Sequence, residues 1–440
     1  MERLSTPAEW PTILLGRADE PDPTDLDAAA RAGAFEGLRS AIRDLGPTGV
    51  IATIAASGLR GRGGAGFPTG EKWRAAASTE APRRYVVAHG YEADPATFTD
   101  RTLLELDPFS VVEGTVIAAY AIGASQAFIP VRAEETELIR RLEAAIAAAE
   151  EAGFVGPDLF ASGHDVELSV RPVQGAYLLG EETVLLKALE GRRGQPEQRP
   201  PYPATRGLFG MPTVVQNVQT LAAVPWIVRN GAAAFSSTGG RSSPGTVLVQ
   251  VRTPAGEGIA EIPLGTPLRE VLDLAGALPK GRSLKALLIG GPSGGLLPTE
   301  LLDTAYDFGP LREAGAHLGS GSIIAADDRA CVVDLARLLT RFCSGEACGK
   351  SIPCRIGTRR LVEIADRVAD GRPRLNDLTI LTDLSADIVA SALCDHERLT
   401  TLPLGSGMRY FREELDEHLL RSSCPAGVCH PIAVAAGTTH

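Results

Sequence analysis

The residues best able to do chemistry in this chain are its seven cysteines, all of them in the last quarter from Cys331 onward. Cys343, Cys348 and Cys354 share the glycine- and proline-containing run 342–355 with Ser351. Cys394 stands about forty residues later, and Cys424 and Cys429 close the set in CPAGVC. Thiolates grouped this way hold metal or iron–sulfur, and an odd count argues against a disulfide framework. A second run of interest is glycine-dense, Ser57 to Trp73, SGLRGRGGAGFPTGEKW. Gly61, Gly63 and Gly66 satisfy G-x-G-x-x-G, with Gly64 between them. Glycines let backbone N–H groups surround a phosphate at no conformational cost, and Arg62 and Lys72 could add charge. The usual dinucleotide fingerprint follows a strand directly, whereas a helical pattern precedes this loop.

The elements that must position these groups are readable in outline. Residues 1–30, rich in Pro, Asp and Ala, read as a loosely ordered arm. Helical spacing covers 35–54, 107–122 and 134–152, the last with a solvated Ala/Glu face, while 85–88 and 127–131 read as short buried strands. Such alternation predicts an α/β domain with a mostly parallel sheet. Residues 194–203 form a Pro-rich loop that no core strand tolerates. Period-two runs at 246–251 and 258–263, a helix at 268–275 and a strand from 286 predict a small β-rich module; from Asp327 the pattern is helical. With 440 residues the chain has room for two to four domains. A net charge of −11 argues against nucleic acid as the main partner. No apolar run approaches the ~20 residues that cross a bilayer, and 1–11 lacks a signal peptide's basic start and apolar core. A cytoplasmic chain with reduced thiols is expected, reaching a membrane only through a complex.

Gly58 to Trp73 resembles the flavin loop of the NADH-binding 51-kDa flavoprotein subunit of respiratory complex I, a family that includes diaphorase subunits of NAD-linked hydrogenases and formate dehydrogenases. YLLGEET from Tyr177, EGRRGQP from Glu190 and GMPT from Gly210 through to Asn217 are similar to the family's other signatures, in order, over about residues 40–430. The resemblance implies a 1–40 arm, a Rossmann-like FMN and NAD-binding α/β domain at 41–235, and a ubiquitin-like β-grasp (SLBB) module at 240–320. It further implies a helical bundle with an iron–sulfur site at 327–430 and a tail at 431–440. It implies hydride transfer from NADH to FMN and single electrons leaving through the cluster. The expected partner is a thioredoxin-like [2Fe–2S] protein, or another redox protein, on a separate chain. By resemblance Gly61–Gly66 cradle FMN phosphate, Lys72 reaches the cofactor, Phe67 stacks the dinucleotide and Glu182 lies near nicotinamide and flavin as the catalytic acid. Tyr177, Gly180 and Glu181 line the same pocket, Glu92 is retained there, and Asn217 and Thr220 match flavin contacts.

The departures from the family pattern are specific. An Asn becomes His89, a flavin-facing Asp becomes Tyr91, NNVET becomes QNVQT at Gln216–Thr220, and a stacking aromatic becomes Ala75. Each changed polar contact is worth on the order of 1 kcal/mol. They keep two rivals open: a non-catalytic scaffold, and a flavoprotein linked to ferredoxin. Relatives hold a [4Fe–4S] cluster with four cysteines; here the positions are Cys348, Ser351, Cys354 and Cys394. Serine is the harder, less acidic ligand. Ser351 could ligate as an alkoxide, Cys343 could swing in, or a three-iron cluster could form; the bland alternative is buried thiols without a cluster. Cys331, His418, Cys424 and Cys429 offer three S and one N, a set suited to tetrahedral zinc, against a plain thiol pair or ligands for a partner's cluster. The remaining histidines read as mostly surface residues.

Overall fold

The computed structural model describes residues 2–276 and 278–429. They fall into two compact units, Arg3–Val249 with Ile259–Thr266, and Gln250–Gly258 with the chain from Pro267 onward. Among the described residues no helix is long and apolar enough to cross a membrane.

The first unit is built on a four-stranded parallel sheet of β1 (Tyr85–His89), β2 (Gln126–Arg132), β3 (Glu167–Val173) and β4 (Thr213–Asn217), in the order β3-β2-β1-β4. β1 and β4 run in register from Tyr85 opposite Thr213 to His89 opposite Asn217. Both therefore end at one level, and the carboxyl edge of a parallel sheet is where such folds take ligands. The helix Pro108–Ile122 is buried on every side, which is why it reads as almost uniformly apolar. Asp107 caps it, accepting the Ser110 N–H at 3.1 Å, and Pro108 occupies its first turn, where no N–H is needed. The helix Thr136–Glu151 buries Leu138, Leu142, Ala145, Ile146 and Ala149, leaving the solvated face expected.

Two segments differ from the sequence reading. The helical stretch 35–54 is broken into Glu36–Ser40, a wide turn Ala41–Leu45 and the helix Gly46–Ser57. The break falls at Gly46, whose φ of +67° suits glycine. The N-terminal segment is seated rather than loose. Ile13, Leu14 and Leu15 are buried, and their N–H groups donate to the buried Glu261 carboxylate at 2.7, 2.9 and 2.9 Å. Nothing in local composition signals this, because the acceptor lies 248 residues away.

The second sheet has β5 (Thr246–Arg252), β6 (Glu257–Pro263), β7 (Leu284–Ile289), β8 (Gly295–Pro298) and β9 (Ser322–Asp327), in the order β8-β7-β9-β5-β6. β9 is parallel to β5 and antiparallel to β7. From Val332 the second unit is helical. The helix Thr358–Ala369 buries Leu361, Ile364, Ala365 and Val368, an i, i+3, i+4, i+7 stripe, against Val332, Ala336, Leu381 and Leu415 from neighbouring helices.

Glu113, on the buried helix, accepts N–H groups from Phe35 at 2.8 Å and Leu38 at 2.9 Å. Burial lifts its pKa to about 7 from an ordinary 4.5. The folded chain holds this proton more tightly than the unfolded one, so stability is expected to fall as pH rises through the interval between 4.5 and about 7. Glu113→Gln should flatten that slope in denaturant unfolding measured across the same pH range. An identical slope in the variant would refute the assignment.

Candidate functional site

The glycine loop is closed at its base. The Gly61 N–H donates to the Phe67 carbonyl at 2.9 Å and the Thr69 N–H to Leu59 at 2.9 Å, while Arg60 Nη1 reaches the Gly66 carbonyl at 2.9 Å. Gly64 and Gly66 hold φ of +99° and +66°, conformations costly to other residues. The loop lies over the ends of the sheet. The Arg62 N–H donates to Thr220 Oγ1 at 2.8 Å, a Cβ on Gly63 would sit 3.4 Å from Asn217 Cβ, and one on Gly61 would sit 3.8 Å from Gln216 Oε1. Gln216 is buried, and its Nε2 has no hydrogen-bond partner among the described residues. A buried donor left open beside a glycine cradle fits a polar ligand there. The Arg62 guanidinium turns inward, donating to the carbonyls of Thr246 and Pro244 at 3.0 and 2.5 Å, so the loop presents its backbone. Phe67 stands at the rim, half exposed.

Lys72, on the helix Thr69–Ser78 that follows the loop, bonds the Val215 carbonyl at 3.0 Å and Glu182 Oε2 at 3.1 Å. Arg199 takes the other Glu182 oxygen at 3.1 Å and Glu181 Oε1 at 2.6 Å. Glu181 also caps the helix Glu182–Leu189, accepting N–H groups of Thr183 and Val184 at 3.0 and 2.9 Å. Glu182 is thus oriented by two cations, one from each side. His89, at the end of β1, is half-buried and bonds the Leu179 carbonyl at 3.1 Å. It thereby ties β1 to the turn Tyr177–Gly180 that leads to both acids, and burial lowers its pKa.

Other expected residues serve the walls. The Glu92 carboxylate caps the helix Thr99–Leu106, accepting the N–H groups of Asp100 and Arg101 at 2.8 and 3.0 Å. Its pKa is raised by burial and by the charge of Asp100. Tyr91 is fully buried with the Arg132 guanidinium 4.9 Å over its ring. Asn217 Oδ1 caps the helix Val218–Asn230 at Gln219 N, 2.9 Å, and its amide donates to Asp100 at 2.6 Å.

In the second unit, Cys348 and Cys354 share one hydrogen-bonded pair. The Cys354 thiol, then the Lys350 N–H and charge, bring Cys348 down to about 6, and the same bond and burial push Cys354 up. The Gly349 N–H also points to Cys354 sulfur. Backbone N–H groups aimed at sulfur are the surroundings that cluster thiolates need. Cys394 is buried at the start of the helix Asp395–Leu399. Ser351 Oγ donates to Glu397 Oε1 at 2.8 Å. Cys343 is buried in the helix Val332–Gly345, its carbonyl held by His396 Nε2 at 2.9 Å. His396 is itself buried rather than a surface residue, and burial lowers its pKa. His430 and His440 lie outside the described residues.

Cys331, His418, Cys424 and Cys429 converge, all buried, with their ligand atoms within 4.8 Å of one another. Cys331 and Cys429 sulfurs are 3.7 Å apart and each is 3.5 Å from His418 Nε2. A zinc tetrahedron with bonds of about 2.0–2.3 Å has edges of about 3.3–3.8 Å. His418 Nδ1 donates to the Glu414 carbonyl at 2.8 Å, which leaves Nε2 as the lone-pair nitrogen. Burial pushes Cys429 up to about 12. Burial also acts against Cys424, yet N–H groups of Cys429 and Val428 bring it down to about 7.

Residues 54–226 match the Nuo51 FMN-binding domain, and 334–418 match the NADH-ubiquinone oxidoreductase-F iron–sulfur binding region. The NADH-quinone oxidoreductase-F protein of Streptomyces coelicolor is 42% identical over 94% of this chain and 92% of its own. The chain belongs to the NADH-quinone oxidoreductase-F family. The NADP-reducing hydrogenase protein HndC of Solidesulfovibrio fructosivorans is also 42% identical, over 93% of this chain and 83% of its own. A crystal structure of NAD+-reducing [NiFe]-hydrogenase in the H2-reduced state superposes with a TM-score of 0.81 at 33% identity, covering 93% of this chain and 67% of that one.

Within this family's FMN domain, the residues that sequence reasoning missed are Arg199, Asp100 and Gln219. Asp100 is buried, and burial raises its pKa to about 6. Gln219 Nε2 donates to it at 2.8 Å while its Oε1 accepts the Leu248 N–H at 2.9 Å. A glutamate at 219 would set two carboxylates together, so the amide is the compatible residue. The one available signal was the departure at Gln219 itself. Gly64→Ala puts a Cβ on a φ of +99°, and the loop should relax out of its cradle. We expect about tenfold weaker flavin binding, read as bound FMN per chain after dialysis; unchanged retention would show that the cradle does not hold the phosphate.

Proposed function

We infer that the chain takes electrons from NADH through FMN and passes them singly through an iron–sulfur cluster to a partner. The observation that carries this reading is the pinned glycine loop over the ends of β1 and β4, with the open Gln216 amide beneath it. Bound FMN supplies the conversion between a two-electron hydride donor and a one-electron acceptor. The chain's part is to bind and orient. Backbone N–H groups of 63–66, on a loop base closed by the Gly61 and Arg62 N–H groups and with Gln216, Asn217 and Thr220 behind it, hold the phosphate end. Phe67 offers an exposed ring for the dinucleotide. Glu182, fixed between Lys72 and Arg199, sets the nicotinamide's position, with Tyr177, Gly180 and Glu181 forming the adjoining wall. His89, Tyr91 and Glu92 shape the cleft from behind. Retention of this oriented acid and open amide favours catalysis over a scaffold role.

The finer architecture follows the same reading. The order β8-β7-β9-β5-β6, with β9 parallel to β5, supports reading 240–320 as a ubiquitin-like β-grasp module, following a 41–235 flavin domain and preceding a 327–430 helical bundle in the chain. Cys348, Cys354 and Cys394, with the 351 position, hold the cluster. The acceptor is a thioredoxin-like [2Fe–2S] protein or comparable redox chain, met in the cytoplasm. Cys331, His418, Cys424 and Cys429 hold a structural zinc, closed because all four positions are filled by protein.

Anaerobically purified protein should bleach its flavin on titration with NADH, and Glu182→Gln should lower kcat/KM at least tenfold with flavin content unchanged. A full flavin complement that NADH never bleaches would sink the reading. For the zinc, elemental analysis should find one ion per chain, lost in Cys331→Ser along with a fall in Tm. A metal-free wild type of equal Tm would remove that site from the account.

A further inference from the structure

We propose that the fourth corner of the iron–sulfur site is an oxygen corner, in which Ser351 Oγ meets the iron and Glu397 is the positioning residue that holds it there. The inference rests on the assignment of Cys348, Cys354 and Cys394 as cluster ligands made above. A hydroxyl has one hydrogen and two lone pairs. Ser351 Oγ gives its hydrogen to Glu397 Oε1 at 2.8 Å and takes the Cys354 N–H at 3.2 Å. One lone pair remains, on an atom already tethered to the backbone of a cluster cysteine. Capping of the turn Pro353–Gly357 accounts for the bond from Cys354 but not for the one to Glu397.

Glu397 is placed for more than a local contact. It is 1% exposed, and its second oxygen accepts the Leu393 N–H at 3.0 Å, the residue before Cys394. One carboxylate therefore joins the loop carrying Cys348 and Cys354 to the turn carrying Cys394. Its helix, Asp395–Leu399, is fixed independently by His396 on the Cys343 carbonyl. A cysteine at 351 would set a thiolate against this buried carboxylate, like charge against like. Serine turns the same approach into a hydrogen bond, so the two residues form a matched pair. Coordination through the free lone pair moves no electron, and the hydroxyl hydrogen stays between Oγ and Oε1.

The test is 57Fe Mössbauer and EPR spectroscopy with iron counting on anaerobically purified full chain: wild type, Ser351→Ala, Ser351→Cys, Glu397→Ala and Glu397→Gln. Wild type should hold four irons with one site spectroscopically distinct. Ser351→Ala should lose that site and one iron, and Ser351→Cys, which sets sulfur against the Glu397 carboxylate, should lose the oxygen-ligated signature and shift the reduction potential. Glu397→Ala should lose the distinct site, whereas Glu397→Gln, which keeps an acceptor oxygen, should retain it. A wild-type spectrum reproduced by Ser351→Ala, or a distinct site indifferent to Glu397→Ala, overturns the proposal. NADH bleaching of the wild-type flavin reports separately on the function: bleaching with a silent Ser351 removes the oxygen corner alone. A flavin-loaded wild type without iron overturns both the corner and the cluster it belongs to.

Discussion

Buried carboxylates that accept backbone N–H groups are the constraint on which this molecule depends. Glu261 holds three successive N–H groups of the N-terminal segment, Glu113 holds the start of the helix Glu36–Ser40, and the half-buried Glu92 holds the start of Thr99–Leu106 in the same way. Each would be costly to bury alone. Each is tolerated because it meets donors that would otherwise be orphaned at a helix start or in an irregular segment. The cost of removing one is correspondingly large, since both the acid's partners and the segment they belong to lose their anchor.

The cleft inherits its shape from this arrangement. Glu92 is spent on capping, so it stiffens the floor; Glu181 likewise caps the helix on which Glu182 stands. Glu182 is therefore the acid left with its oxygens on side-chain cations rather than on backbone. Such a carboxylate can be re-partnered by a ligand without melting a helix end. The same logic separates Asn217, absorbed in a cap and in Asp100, from Gln216, whose amide stays open under the glycine loop.

Local patterns were legible and distant partnerships were not. The glycine loop, the strands β1 and β2, the buried helix after Asp107 and the thiol spacing all stand in the sequence because their causes are local: φ > 0, period-two burial, an N-cap, a chelating interval. The family resemblance placed Glu182 and Lys72 in one site, and the structure joins them. The seat of Ile13–Leu15 and the pairing of Ser351 with Glu397 could not be read this way. Their acceptors lie 248 and 46 residues away, and a glutamate set between His396 and Arg398 carries no sign that it is buried. Arg199 was hidden for another reason: the Pro-rich loop 194–203 announces a turn, not the direction of one guanidinium.

The two thiol sites then divide by what completes them. Cys331, Cys424 and Cys429 gather with an imidazole whose Nδ1 is held by a backbone carbonyl, a closed and compact set of the kind a redox-inert ion takes. Near Cys354, where the resemblance leads one to expect a further thiolate, Ser351 stands with a buried carboxylate one hydrogen bond behind it. Reduction potentials of such clusters follow the charge and hydrogen bonding near them. On the proposed assignment, the Ser351–Glu397 pair therefore bears on the potential of the centre rather than marking its loss.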